Sequence, residues 1–424
     1  MKLKLLTAIL LTSFTALQAA APDLSTVNTR ADLDSVIATT TDVALKNLLT
    51  DHAADILAAA SRHPHVEAVI RTIESAPGQF AKVNTTPEPL KKATGGDIAL
   101  FDTLTMVHTG ILNGHPHANR TANEDPYDGT FFEHLGHIPT LESVTLVVNR
   151  IEDSWLPPLT KLDRLQRLLI EKRYDNGPGD SAIAQLLPLA NLPGLKSLGV
   201  HYFSKVTEAG LEQLAVFKNL ESFSFRSGSK IPCHAFAKFD GWTNLKGIAF
   251  HGNEIDDEGL GYICEKFPNL ESLNLIHSRQ LTDASAEHLL KLTKLKSLII
   301  NGPKITAAWL RNLNRLPLGY VMLNAPIPPA AESIAHVKSI PTLRKLNVAC
   351  DKLTDADLAS LAGVTQLEEL TMVNLELPDA RLPQLQAFAH LKSLTLVRYG
   401  KGYPDETHAK VKALLPKVDV KFVK

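Results

Sequence analysis

The stretch LESLNLIHSRQLTDASAEHLLKLTKLKSLII, from Leu270 to Ile300, contains its own opening twice. Leu270, Leu273 and Leu275 return 25 positions later as Leu295, Leu298 and Ile300. The same frame, L-x-x-L-x-L with Ile, Val, Phe or Met allowed, starts at Leu141, Leu165, Leu195, Leu220, Leu245, Leu270, Leu295, Leu318, Leu343, Leu367 and Leu391. Successive spacings are 24, 30, 25, 25, 25, 25, 23, 25, 24 and 24. A weaker unit reads at Phe101, Leu104 and Met106, and a last one at Leu415, Val418 and Val420. A period held across so much chain restricts the fold more than any composition could.

Two shorter periods alternate inside each unit. The L-x-L part has the period of two of a short strand with one buried face. An N-cap residue and an amphipathic segment follow, as in VTEAGLEQLAVF, IDDEGLGYICEKF and LTDADLASLAGV, with Thr207, Asp256, Thr282 and Thr354 where helices start. One strand and one helix cannot bury both apolar faces alone. Stacked units do so, with a parallel sheet on one side and a row of helices on the other.

With these residues in view, the chain from about Phe101 to Val420 resembles a leucine-rich repeat array. LESLNLIHSRQLTDASAEHL is similar to the cysteine-containing and ribonuclease-inhibitor-like subclasses, and to repeats of exported bacterial proteins. The Asn or Cys of the family's ninth position stands at Asn149 and Asn253 but is replaced by Ser278, Pro303, Asp351 or Leu375 elsewhere. The resemblance implies an α/β fold, a curved solenoid with its sheet on the concave face and helices on the convex face. It also implies binding through the concave face, usually of protein, and no chemistry.

Around the array the organisation changes. Residues 1–20 have Lys2 and Lys4, an apolar run from Leu5 to Leu17 and then small residues, the pattern of a cleaved secretory signal. An exported protein, periplasmic or secreted, is expected. No other run reaches membrane-spanning length. Residues 21–97 read as a helical N-terminal cap, with helices over TDVALKNLLTDHAADILAAASRH and HPHVEAVIRTIES, a turn at His63-Pro64-His65 between them, and a shorter helix after Pro87. Residues 98–424 are then the repeat domain. Cysteines at 233, 264 and 350 are odd in number and irregular in spacing, so they are expected unpaired. A formal net charge of −1 lacks the basic excess of a nucleic-acid binder.

Numbered from the first Leu of each unit, positions 1, 4 and 6 point inward, while 3, 5, 7 and 8 are expected on the concave surface. Position 3 is a near-uniform column of small residues, Ser197, Ser222, Gly247, Ser272 and Ser297 among them, interrupted by Arg167. Position 7 carries Glu171, His201, Arg226 and His251, and position 8 adds Lys172, Tyr202 and His277. These eight residues, Arg167, Glu171, Lys172, His201, Tyr202, Arg226, His251 and His277, are the candidate partner-binding set. Tyr and Arg are the types that most often dominate interfaces. Insertions at 110–130 and 174–181 follow strands and are expected on the adjoining edge. A protein fits such a surface best, and a glycan or cell-wall component is the other partner class considered.

A second reading takes the His-rich segment 108–137 as a metal-binding module or metal-dependent hydrolase. It holds His108, His115, His117, Glu124, Asp125, Asp128, His134 and His137. Histidines in a polar loop are weak evidence without converging geometry. A third reading is a structural spacer. No H-E-x-x-H, G-x-S-x-G, phosphate loop, dinucleotide fingerprint or C-x-x-C is present. The sequence therefore points away from an enzyme and implies no cofactor, leaving open a site assembled across repeats.

Overall fold

In a computed structural model the described residues are 22–76, 78–110, 125–173, 177–226, 231–251, 254–276, 278–300, 302–324, 330–349, 353–400 and 402–424. The signal-like segment 1–20 and His115, His117 and Glu124 lie outside them. The chain divides into two compact units, Met1–Val144 with Lys161–Leu165, and Thr145–Thr160 with Gln166–Lys424.

The first unit contains α1 (Arg30–Thr39), α2 (Val43–Asp51), α3 (Ala53–Glu74), β1 (Gln79–Asn84), α4 (Glu88–Thr94), β2 (Asp102–His108) and α5 (Gly129–Gly136). Thr29 and Asp32 close a capping box on α1, and the Asp42 side chain accepts from Leu45 N to start α2. Leu33, Leu49, Ile56, Ala59, Leu90 and Phe101 form one core. The turn expected at Pro64 is absent: α3 runs through it. Pro64 stands on the exposed side of the helix. Ile56, Ala59 and Ala60 before it and Val66, Val69 and Ile73 after it are buried, and that packing outweighs the missing N–H.

β1 pairs antiparallel with β2, and the register slips between Ala81 and Lys82, which face Met106 and Leu104. The extra residue, Thr105, reverses the alternation along β2. Val107 is consequently buried where the sequence frame placed Met106.

Strand β3 (Ser143–Val148) crosses the division between the units. In the second unit follow β4 (Arg167–Lys172), β5 (Ser197–His201), β6 (Ser222–Arg226), β7 (Gly247–His251), β8 (Ser272–Ile276), β9 (Ser297–Ile300), β10 (Tyr320–Asn324), β11 (Lys345–Ala349), β12 (Glu369–Val373), β13 (Ser393–Val397) and β14 (Asp419–Val423). From β4 to β14 each strand is parallel to the next. The register has no stagger: Ser197 faces Ser222, Ser222 faces Gly247, and so on by whole repeats. This is an α/β leucine-rich repeat solenoid, the fold class the period implies.

Between strands lie α6 (Asp180–Leu186), α7 (Glu208–Gln213), α8 (Asp257–Lys266), α9 (Ala286–Leu289), α10 (Ala330–Lys338), α11 (Asp355–Ala362) and α12 (Asp405–Leu414). Other units use 3-10 turns, such as His234–Lys238 and Asp379–Phe388, the latter holding Pro383. Thr207 and Asp256 cap α7 and α8, and Thr354 closes a capping box on α11. A staple joins successive units: the Asp180 carboxylate accepts from Thr207 N and Oγ1 at 2.8 and 2.6 Å. Asp257 does the same for Thr282, and Asp283 for Thr306. At position 2 charges alternate, with Lys246 bound to Glu221 and Lys296 to Glu271 at 2.8 and 2.6 Å.

The core behind the sheet is aromatic in its middle. Phe223, Phe225, Phe236, Phe239, Trp242, Phe250 and Phe267 are buried edge to face. Cys233 and Cys264 are buried free thiols; burial raises both, Cys264 to about 12, so neither is a nucleophile at neutral pH.

Candidate functional site

Strand alternation sorts the eight candidates. Along β6, Phe223 and Phe225 are buried while Ser222, Ser224 and Arg226 face outward, so positions 3, 5 and 7 form the outer sheet face. Position 8 has the parity of 4 and 6. Lys172, expected outside, is accordingly only 8% exposed, with its Nζ donating to Arg173 O at 3.1 Å. Arg167 is exposed and Glu171 half-buried on the outer face. Tyr202 escapes the inward parity because β5 has ended: its φ of 61° turns the chain, and the ring is 41% exposed. His277 lies outside the described residues.

The unstaggered register makes position 7 one row. Glu171 faces His201, His201 faces Arg226, and Arg226 faces His251. Position 5 is low beneath it, with Gly199 between Leu169 and Ser224, and Ala249 next. A Cβ on Gly199 would lie 2.5 Å from Leu169 Cδ1 and 2.8 Å from Ser224 Oγ. The glycine lets Ser224 lean across β5.

That lean completes a chain the sequence did not reveal. His201 Nδ1 is 3.1 Å from Glu171 Oε2, and its Nε2 is 2.9 Å from Ser224 Oγ. The hydrogen bond from His201, opposed by burial, holds the Glu171 carboxyl below its ordinary value. Burial, then Arg226, pushes His201 down, against the pull of Glu171. The carboxylate only accepts, so Nδ1 carries the proton; Nε2 of the neutral ring then accepts from the Ser224 hydroxyl. His201, expected on open surface, is 5% exposed, with both its nitrogens engaged. Arg226 is half-buried beside it, with Nε buried and, among the described residues, without a hydrogen-bond partner.

Acid, imidazole and hydroxyl in this order have the connectivity of a nucleophilic triad. Ser224, however, is in mid-strand, where the ladders to β5 and β7 take up the backbone N–H groups. Along β6 itself no free pair of amides is left to hold an oxyanion. What the chain does is fix a neutral imidazole and a carboxylate in one orientation on the sheet.

The described end of the 174–181 insertion docks at the rim. Gly177 N donates to Ser204 Oγ at 2.8 Å, and a Cβ there would fall 1.8 Å from Tyr202 O. Only glycine permits that approach.

In the first unit, Asp128 caps α5 and Asp125 accepts from Tyr127 N, so these two acids of the His-rich segment serve the backbone. His108 is half-buried on β2, and burial lowers its pKa. His134 and His137 meet His65 of α3, a residue assigned by sequence to a turn. Reading α3 as continuous through Pro64 is the step that would have found it.

No protein-family model matches the chain, and no curated protein does. Among solved structures, an internalin from Listeria monocytogenes is similar at 17% identity, over 68% of this chain and 82% of that one, with a TM-score of 0.38. The fold is that of a leucine-rich repeat solenoid, established by the chain's own strand register.

Proposed function

We propose that the outer sheet face from β4 to β7 recognises a macromolecule, most readily a protein. The observation that carries this is the continuous position-7 row of Glu171, His201, Arg226 and His251 over a floor of Gly199, Ser222, Ser224, Gly247 and Ala249. Four strands at about 4.8 Å spacing give a patch that a partner surface can span. Glu171 and Arg226 are half-buried and present part of their side chains from above, while His201 is 5% exposed and holds Glu171 in place; a pinned side chain loses little freedom on binding. Arg167 and Tyr202 flank the row, and the described end of the insertion, at Gly177, docks beside it. Lys172 is withdrawn from the set by its burial. A glycan is the weaker case, since Tyr202 is the one exposed ring among the candidates whose side chains are described.

The same reading takes the protein as exported, with residues 1–20 removed, 21–97 as a cap and 98–424 as repeats of the cysteine-containing or ribonuclease-inhibitor-like kind. No helix among the described residues is long and apolar enough to cross a membrane.

The test is capture from the exported fraction of the native host with wild type, Arg167→Glu with Arg226→Glu, and Tyr202→Asn. Asn tolerates positive φ, so the ring is removed without backbone strain. A captured species lost with both variants supports the reading. Capture that is indifferent to both, with circular dichroism unchanged, overturns it.

A further inference from the structure

Within the first unit, three imidazoles from two helices come together. His65 on α3 and His134 on α5 place their Nδ1 atoms 2.8 Å apart. One proton at most lies between these nitrogens, so at least one lone pair is aimed at the other ring. His137, three residues beyond His134, stacks on His65 with centroids 4.1 Å apart and planes at 14°. Its Nε2 is 3.1 Å from Glu133 Oε1, and Lys161 Nζ holds the same carboxylate oxygen at 3.4 Å. A carboxylate at Nε2 keeps the proton there and leaves Nδ1 basic, which is how outer carboxylates prepare metal-ligating histidines. The last turn of α5 adds carbonyl ends that favour a cation.

We propose that His65, His134 and His137 bind a borderline divalent transition ion such as Zn2+ through Nδ1, with water as the fourth ligand. Among the described residues no three donors are already set around an ion. Two converge, and the third sits on an exposed ring that can turn about its side-chain bonds. Zinc–nitrogen bonds of about 2.0–2.1 Å in a tetrahedron separate ligand nitrogens by roughly 3.3 Å, so the His65–His134 pair opens by about half an ångström. Neutral imidazoles suit zinc, copper and nickel and exclude magnesium and calcium. This site is independent of the sheet face and uses a residue outside segment 108–137.

The experiment is Zn2+ titration of the untagged full-length protein at pH 7.5, by calorimetry and by competition with a chromophoric chelator. One saturable equivalent is expected. His65→Phe, which keeps a ring against His137, and His134→Ala each weaken it at least tenfold; the double variant His115→Ala with His117→Ala leaves it unchanged. Circular dichroism checks each fold, and if His134→Ala unfolds, His65→Phe decides alone. Absence of saturable binding, binding indifferent to His65→Phe, or binding lost in the 115/117 double variant overturns the proposal.

Discussion

His201 shows how a single side chain on a sheet can be fixed without being covered by a second layer. Its two nitrogens are spent on Glu171 and Ser224, and the ring is buried by its neighbours on the same face. Two titrations follow, and both have the same sign. Glu171 has a lowered folded pKa, so its contribution is present above the unfolded value near 4.5 and is lost as pH falls through the lower folded value. His201 also has a lowered folded pKa. Below about 6.5 the unfolded chain takes up a proton that the folded one refuses, and stability falls. Wild type should therefore lose urea resistance between pH 7.5 and 5, and His201→Gln should lose less. An equal loss in both would show that His201 is not withheld from protons.

At the scale of elements, stability is passed from one repeat to the next by the Asp–Thr staples. Thr207 caps α7 and is simultaneously held by Asp180 of the preceding unit. Thr207→Val should cost about 1–2 kcal/mol, read as a lower urea midpoint, and Asp180→Ala should add less than its own separate effect because the two share one interaction. Strict additivity would refute the coupling. Elements are also where the sequence was most and least readable. The period of about 25 located the strands because every repeat reports the same two faces. It could not say that α3 passes through Pro64, since buried residues on both sides decide that. Nor could it place the slip at Thr105, which depends on how β1 pairs. Position 7 was visible as a row, whereas Ser224 was not: its contact with His201 is diagonal, between position 5 of one unit and position 7 of the one before. Lys172 was misplaced by counting position 8 with position 7 against the alternation.

For the whole molecule, the zero-stagger register means that any repeat meets its neighbours at equivalent positions. Cutting out one unit would in principle rejoin the sheet without a gap. The position-2 charges make that operation unequal. They run Lys196, Glu221, Lys246, Glu271, Lys296, with Lys246–Glu221 and Lys296–Glu271 paired. Removing 270–294 sets Lys246 against Lys296, two like charges side by side; removing 245–294 sets Glu221 against Lys296. Exposed pairs contribute only about 0.2–1 kcal/mol each, so the difference belongs in a salt titration: the midpoint of the single excision should rise with added NaCl more than that of the double. An indifferent response would mean the lysines swing clear. Between Lys196 and Lys296 the array thus has a parity. That stretch can be lengthened or shortened in twos without remark, whereas an odd step leaves a mark on its edge, so a run of similar tiles still keeps count of them.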